Sequence, residues 1–246
     1  TLAITGTTTL VTSANDATIT LNDTSNAFTG ALTITTNDSS GTDADVTIDG
    51  GTTALIIAAS TIDGDLTLTS GHASGITDSG NVTVGGNLAA TTDDNDGVIN
   101  MGTLLVDGTV ALTTNGTGAA TVVNDAGLNF AASTVGGALS ATATTGNMTD
   151  SGALTIAGTS SFATSASGAD ITLNTTTNAF TGAVALNTTG NRGDATIDGG
   201  TTALDIAASS VSGFLKLTSD HASGITDSGT VTVGFYLTAN TGANNG

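Results

Sequence analysis

The chain contains two histidines, and each opens a copy of the same nine-residue string. The string HASGITDSG covers residues 72–80 and again 221–229, which makes the histidines His72 and His221. Imidazole is a common zinc ligand, but a site needs further ligands, and the sequence holds no Cys, no Glu and no third His. The 149 residues between the copies also separate the two rings by several repeats, or roughly 30 Å. We therefore interpret the string as repeated scaffold rather than as a metal site.

A second candidate for chemistry is the acidic stretch DDNDG at 93–97. Alternating Asp and Asn oxygens before a Gly resemble the first half of a calcium loop, and hard oxygen ligands suit Ca²⁺. The closing Glu of such a loop is absent, and the alternative interpretation is a solvated acidic turn. The predicted ligands are Asp93, Asn95 and Asp96, and calcium is the one cofactor that the sequence suggests.

The third candidate is the tripeptide Arg192-Gly193-Asp194, which contains the chain's single arginine. In an exposed loop, RGD binds integrin-type receptors through the carboxylate and the guanidinium. The other copy of the repeat has Ala44-Asp45 where this one has Gly193-Asp194, so the motif is not part of the repeat. Three-residue matches also arise often by chance. The sequence thus predicts a receptor-binding site here, with an accidental match as the alternative.

Charge excludes several other classes of function. All 21 acidic residues are Asp, only Lys216 and Arg192 oppose them, and the net charge is −19. Nucleic acids and anionic membranes are bound through Lys and Arg, so neither is expected as a partner. No apolar run approaches the roughly 18 residues of a membrane-spanning helix, and no membrane insertion is expected. Parallel β-helix enzymes that act on acidic polysaccharides use carboxylates together with Arg or Lys. This inventory is nearly empty, and we predict that the chain is not an enzyme.

The elements that must position these residues are predicted from composition. Thr, Val and Ile favour strands, while Gly, Asn and Asp favour turns. Glu and Gln, which are common on helix surfaces, are missing altogether. Hydrophobic residues make up 38% of the chain and aromatic residues 3%, so the core must consist mainly of small aliphatic side chains. The composition predicts an all-β protein with many short strands.

A long internal repeat organises the chain. Residues 45–85 and 194–234 align without gaps, and 32 of the 41 positions are identical. With its weaker flanks the repeat covers 2–92 and 154–241, joined by 93–153. A shorter rhythm lies inside it, since Leu66, Leu88 and Val110 follow one another at intervals of 22 residues.

Short alternating strands at this interval predict a parallel β-solenoid with coils of roughly 20–22 residues. Each coil stacks on the next at about 4.8 Å, with aliphatic columns inside and polar columns outside. We expect one continuous solenoid over 1–246. The alternative is a tandem of β-sandwiches, which is disfavoured because sandwich cores usually contain aromatic anchors.

Two segments also resemble a known family. GALTIAGTSSFATSASGADITLNTTTNAFTGAVAL and ALDIAASSVSGFLKLTSDHASGITDSGTVTVG are similar to repeat regions of filamentous-haemagglutinin-like exoproteins. These are very large bacterial proteins, often exported by two-partner secretion. The resemblance covers nearly the whole chain. It implies a right-handed parallel β-helix and an extracellular or cell-surface location.

Together these observations predict a structural or adhesive extracellular protein. The chain is expected to be the shaft of a larger surface exoprotein, or a filament subunit that stacks end to end. Its expected partners are further coils of a longer chain, copies of itself, or a host or neighbouring cell surface. Calcium binding and ice binding are the alternatives, and a polysaccharide-acting enzyme is the least favoured. Ice binding is suggested by Thr-x-Thr pairs at Thr18/Thr20, Thr33/Thr35 and Thr67/Thr69.

Overall fold

All regular structure that the computed structural model describes is β-strand. The structure describes residues 1–37 and 43–242, and these ranges contain 31 strands. Within them, no helix is long and apolar enough to cross a membrane. Contacts divide the chain into two compact units, Thr1–Asp125 and Ala126–Gly246.

In the first unit, strands occur every few residues and are separated by turns rich in Gly, Asn and Asp. The strands are β1 Ala3–Ile4, β2 Thr8–Val11, β3 Ile19–Leu21, β4 Ala27–Phe28, β5 Leu32–Thr35, β6 Val46–Asp49, β7 Leu55–Ile57, β8 Ser60–Ile62, β9 Leu66–Ser70, β10 Ile76–Asp78, β11 Val82–Val84, β12 Leu88–Thr92, β13 Ile99–Val106, β14 Thr109–Thr114 and β15 Ala120–Asn124.

The second unit has the same rhythm. Its strands are β16 Leu128–Phe130, β17 Ser133–Val135, β18 Leu139–Ala143, β19 Met148–Asp150, β20 Leu154–Ile156, β21 Ser160–Ser167, β22 Ile171–Leu173, β23 Ala179–Phe180, β24 Val184–Thr189, β25 Ala195–Asp198, β26 Leu204–Ile206, β27 Ser209–Val211, β28 Leu215–Ser219, β29 Ile225–Asp227, β30 Val231–Val233 and β31 Leu237–Thr241.

The strands of each coil pair in parallel with the corresponding strands of the neighbouring coils. In the first unit, β9, β12 and β14 stack in register, so that Leu66 pairs with Leu88 and Leu88 with Val110. The predicted 22-residue interval is therefore the length of one coil. In the second unit, β25, β28 and β31 stack in the same way, and Leu215 pairs with Leu237. The all-β parallel solenoid is confirmed, with about 11 coils of roughly 22 residues.

The core of each unit is a set of inward columns. Along β9, Leu66 and Leu68 are fully buried, while Thr67 and Thr69 on the opposite face are partly exposed. This alternation is the period of two that the sequence predicts for half-buried strands. Aromatic residues also enter the core, since Phe130, Phe162 and Phe180 are buried in the second unit. Their rings contact edge to face, with centroids 6.3 Å and 5.9 Å apart.

Candidate functional site

One corner of the first unit is fastened by side chains from coil to coil. This corner is the turn that leads into β6, β9, β12 and β14. A carboxylate oxygen of Asp45 accepts the backbone N–H of Asp65 at 2.8 Å, and Asp65 accepts that of Asn87 at 2.6 Å. The amide oxygen of Asn87 then accepts the N–H of Thr109 at 2.8 Å. Short Asp and Asn side chains readily accept hydrogen bonds from backbone N–H groups in turns. Here each one accepts the N–H of a residue in the following coil.

The same corner of the second unit carries an equivalent ladder. Asn147 accepts the N–H of Asp170 at 2.9 Å, and Asp170 accepts that of Asp194 at 2.8 Å. Asp194 in turn accepts the N–H of Phe214 at 2.8 Å. The ladder of side-chain acceptors ends there, because a phenyl ring has no oxygen to offer the next coil.

Aromatic stacking continues where this ladder stops, in a group that we name the aromatic corner: Arg192, Phe214, Phe235 and Tyr236. The rings of Phe214 and Tyr236 stack with centroids 5.5 Å apart and planes 25° apart. Phe235 lies 5.3 Å from Phe214. The guanidinium carbon of Arg192 lies 5.6 Å from the Phe214 ring centroid and 5.0 Å from that of Phe235, the geometry of a cation–π contact.

Three members of the aromatic corner are exposed and Phe214 is partly buried, whereas the other aromatic residues are fully buried. Phe235 is 50% and Tyr236 71% exposed, and Arg192 is exposed as well. The chain has six Phe and one Tyr. The remaining four, Phe28, Phe130, Phe162 and Phe180, are all buried. Every aromatic side chain outside the core therefore belongs to this one corner.

Sequence reasoning missed the aromatic corner, although the repeat contained a signal for it. At the offset of 149, Phe214 corresponds to Asp65 within the aligned segment, and Arg192 corresponds to Asp43 two residues before it. Phe235 and Tyr236 correspond to Gly86 and Asn87, immediately after the aligned segment. The four residues of the aromatic corner are neighbours in space but are spread over positions 192–236 of the sequence. Only the stacking of coils shows that they form one surface.

The predicted receptor tripeptide borders the aromatic corner, and its three residues have different surroundings. Arg192 has a φ of +62° and reaches the aromatic rings. Gly193 is buried; its N–H donates to Ser212 Oγ at 3.0 Å, and its carbonyl accepts from Thr188 Oγ1 at 2.7 Å. Asp194 is part of the corner ladder. Receptor binding by this tripeptide stays a prediction.

The predicted calcium ligands lie in a turn with left-handed backbone at Asn95 and Asp96, whose φ values are +54° and +53°. The Asn95 amide donates to the carbonyl of Gly71 at 2.8 Å. An Asp96 oxygen accepts the N–H of Thr117 at 2.7 Å, in the following coil. Over residues 1–37 and 43–242, no group of three His, Cys, Asp or Glu residues is placed to hold a metal ion. These bonds describe a turn joined to its neighbouring coils, and calcium binding by Asp93, Asn95 and Asp96 stays a prediction.

The two histidine strings have the same local geometry. His72 Nδ1 accepts the backbone N–H of Ser74 at 2.9 Å, and His221 Nδ1 accepts that of Ser223 at 2.9 Å. The carbonyl of each histidine also accepts the N–H of the Gly three residues later. Each ring thus closes its own turn, in keeping with the interpretation as scaffold.

The outward threonines form columns of limited length. Thr47 stacks on Thr67 in the next coil, but Ala89 follows Thr67. In the neighbouring column Asp49 precedes Thr69. A two-column Thr array on this sheet is therefore interrupted on both sides of β9. The ice-binding alternative depends on a regular array and stays a prediction.

Fold and corner chemistry together define a β-solenoid repeat protein. The model of a family described as "Repeats of unknown function (DUF5649)" matches residues 1–35, 43–96, 117–187 and 192–245. Because these segments make up most of the sequence, the chain belongs to this repeat family. Searches of curated proteins and of solved structures found no match.

Proposed function

We propose that the chain is a structural segment of an extracellular surface protein, either the shaft of a larger exoprotein or a filament subunit. In this role the stacked coils form a support that bears mechanical load, and the outer turns are exposed on its surface. The proposal assigns the chain no reaction. It includes the kinship with filamentous-haemagglutinin-like exoproteins that the sequence segments suggest.

The observation that carries the proposal is the double fastening of successive coils. Backbone ladders join the strands, as between Leu66 and Leu88, and the corner side chains join the turns, as between Asp65 and Asn87. Parallel solenoids gain stability from such nearest-neighbour interfaces. Where successive coils are joined at both strand and corner, their stack resists bending and extension.

The repeat supports the same proposal. Ser70 Oγ donates to the carbonyl of Thr53 at 2.9 Å, and Ser219 Oγ donates to that of Thr202 at 3.0 Å. The histidine turns also match from copy to copy. What the two copies share is therefore the set of contacts that hold a coil together, as expected of a chain whose task is to be a scaffold.

Two measurements test the proposal. Antibodies against the chain are applied to intact and to permeabilised cells that produce it, and purified native material is examined by electron microscopy and fibre diffraction. We expect labelling of intact cells, and elongated particles with an axial spacing of about 4.8 Å. Labelling that requires permeabilisation contradicts the extracellular location, and compact particles without this spacing contradict the structural role.

The microscopy is carried out in calcium and in a chelator. Particles that shorten or separate in chelator indicate that acidic turns such as 93–97 form calcium-dependent joints. Particles unchanged by chelator indicate that strand pairing and corner bonds are sufficient. Neither result affects the two tests of the proposed function itself, which are the labelling of intact cells and the axial spacing.

A further inference from the structure

We propose that Asn115 is a site of spontaneous covalent modification. Its side-chain amide is converted to aspartate and isoaspartate through a ring that is closed by the backbone nitrogen of Gly116. The substrate is the chain itself, and water is the co-reactant. Three observations within the first unit carry the inference: the Asn-Gly sequence, the exposure of this pair, and the lack of hydrogen bonds on the two reacting groups.

The pair lies at the tip of the turn between β14 and β15. The N–H of Gly118 donates to the carbonyl of Asn115 at 2.9 Å, and Thr114 Oγ1 donates to the carbonyl of Gly118 at 2.7 Å. These bonds hold the two ends of the turn and leave residues 115–117 exposed. Gly116 has a φ of +54°, a left-handed conformation that glycine adopts without strain. The Asn-Gly pair is therefore in contact with water in the folded chain.

The two groups that react are not held by hydrogen bonds. Among the described residues of the first unit, none bonds to the side chain of Asn115 or to the N–H of Gly116. In the turn one coil earlier, by contrast, the amide of Asn95 donates to the carbonyl of Gly71 at 2.8 Å. The Asn115 amide can therefore turn toward the Gly116 nitrogen without the cost of breaking a hydrogen bond.

Three Asp-Gly pairs of the same unit provide a comparison, because an Asp-Gly pair closes the same ring with loss of water instead of ammonia. In the pairs 49–50, 96–97 and 107–108, the glycine N–H donates to a carbonyl, at 2.9, 3.1 and 3.0 Å respectively. A hydrogen bond of this kind holds the nitrogen in place. An ionised carboxylate is also a poorer electrophile than a neutral amide. The pair 115–116 therefore combines the more reactive side chain with an unbonded nitrogen.

The reaction balances with water as the added reagent. The Gly116 nitrogen attacks Cγ of Asn115, an intramolecular step that is favoured by proximity. The N–Cγ bond forms, the Cγ–Nδ2 bond breaks, and the displaced nitrogen leaves as ammonia with the proton of the Gly116 N–H. Water then opens the succinimide ring. Cleavage of the new N–Cγ bond gives aspartate, whereas cleavage between this nitrogen and the main-chain carbonyl carbon of Asn115 gives isoaspartate. No atom is oxidised or reduced.

Isoaspartate disturbs a joint between two coils. The N–H of Thr117 donates to Asp96 Oδ1 at 2.7 Å, in the preceding coil. The same oxygen lies against Gly116, where an added Cβ atom would collide with it. Isoaspartate at position 115 routes the chain through the side chain and so lengthens the backbone by one carbon directly before these contacts. The bond between Thr117 and Asp96 is therefore displaced.

Aspartate disturbs the same joint through its charge. Thr114 pairs with Thr92 in the preceding coil, so Asn115 lies one coil beyond Asp93, at a strand spacing of about 4.8 Å. Conversion of the neutral amide to a carboxylate places two negative charges at neighbouring positions, and like charges in this arrangement are destabilising. Both products therefore weaken the contact between the turns of successive coils.

The experiment is peptide mapping by mass spectrometry of the full chain, incubated in the folded state at mildly acidic and at mildly alkaline pH. Conversion replaces an amide NH₂ by OH, and an isoaspartate-specific methyltransferase then labels the isoaspartate product. We expect Asn115 to convert about tenfold or more faster than Asn81, which is exposed but precedes the β-branched Val82. Conversion should be faster at alkaline pH, because the deprotonated nitrogen is the nucleophile. The pair Asn245-Gly246 lies outside the described residues and is measured as a separate peptide.

Two variants separate the chemistry from its consequence. Asn115→Gln retains an amide but requires a larger ring, so conversion at this position should be lost, while every other Asn is kept. Incubation should lower the melting temperature of the natural chain and leave that of Asn115→Gln unchanged. Asn115→Asp carries the charge without isoaspartate and shows how much of the decrease is electrostatic. Circular dichroism checks that each variant is folded before incubation.

Three outcomes overturn the modification site. They are an Asn115 amide that stays intact in the folded chain, conversion no faster than at Asn81, and conversion that becomes more than about tenfold faster in urea, since the folded turn then protects the amide. An unchanged melting temperature after extensive conversion overturns the effect on the joint between coils. None of these results involves cell labelling or the axial spacing, so a failure here is distinct from a failure of the proposed function.

Discussion

The carboxylate of Asp194 accepts a 2.8 Å hydrogen bond from the backbone N–H of Phe214, one coil further along the chain. The equivalent bond in the first copy, from the N–H of Asp65 to Asp45, is also 2.8 Å. The bond uses only the backbone of the receiving residue, so the side chain at that position is unrestricted. One corner can therefore fasten coils in both copies and still display an acidic group in one and an aromatic ring in the other.

The corner ladder predicts a stability effect at Asp65. This residue accepts from both the backbone N–H and the side-chain amide of Asn87, at 2.6 Å and 3.1 Å. Asp65→Ala removes the acceptor and should lower the free energy of unfolding by about 1–2 kcal/mol. Asp65→Asn retains an acceptor oxygen and should cost less than half as much. Urea denaturation measures both, and equal losses would indicate that charge rather than hydrogen bonding matters at this corner.

A turn glycine of the second copy predicts a second effect on stability. Gly200 has a φ of +55°, and a Cβ atom there would lie 2.5 Å from the carbonyl oxygen of Asn178. Gly200→Ala should therefore destabilise the chain by more than about 1 kcal/mol, from both backbone strain and steric contact. Gly102→Ala is the matched control, because a Cβ at Gly102 meets nothing within 4 Å. A thermal melt of both variants is sufficient. Similar melting temperatures for the two would contradict this account of the turn.

Much of the fold could be predicted because its physical causes are local and repeated. The alternation of Leu66, Thr67 and Leu68 predicts one buried and one outward face, and the 22-residue interval to Leu88 predicts the register between coils. In a parallel solenoid, residues one coil apart in sequence are neighbours in space. A repeat interval visible along the chain therefore shows which residues of successive coils are in contact.

The corner surfaces could not be predicted in the same way. The sequence relates Arg192 only to its neighbours Gly193 and Asp194, whereas its ring contacts come from Phe214 and Phe235 in later coils. Coil lengths vary, as Ala195 pairs with Leu215 after 20 residues and Leu215 with Leu237 after 22. Turn residues of unequal loops have no fixed interval, so only the structure shows which of them meet.

Substitutions in the acidic turn at 93–97 distinguish a structural role of this turn from a metal-binding role. Asp96 accepts the N–H of Thr117 at 2.7 Å in the following coil. We expect Asp96→Ala to lower the melting temperature by a similar amount in calcium and in chelator, because this bond needs no ion. Asp93→Ala, at another of the three predicted calcium ligands, is melted in the same two conditions for comparison. A loss that appears only in calcium, for both variants, would instead support a calcium site.

Asp23 predicts a pH dependence in acid. The N–H of Ser25 at 2.9 Å, and then the N-terminal ammonium of Thr1 at 3.0 Å, lower the pKa of this carboxyl from its ordinary value of 3.8 to about 2. A pKa lowered by folding stabilises the folded state above the unfolded pKa, and this contribution is lost as the pH falls through the folded pKa. The stability difference from Asp23→Asn should thus shrink between about pH 4 and pH 2. A carboxyl titration by NMR, assigned with this variant, checks the pKa; a midpoint near the ordinary value would contradict it.

The two copies offer a matched pair of leucines for the core and for coil stacking. Leu88 and Leu237 occupy the same repeat position, but Leu88 is 1% and Leu237 55% exposed. Leu88→Ala should cost about 2–5 kcal/mol, as expected for a cavity in a packed core. Leu237→Ala should cost less than about 1 kcal/mol in dilute solution, because the removed atoms already contact water. Urea denaturation at low and high protein concentration measures both. If another copy stacks on β31, the cost of Leu237→Ala should rise with concentration while that of Leu88→Ala stays constant; a concentration-independent Leu237→Ala would argue against stacking at this face.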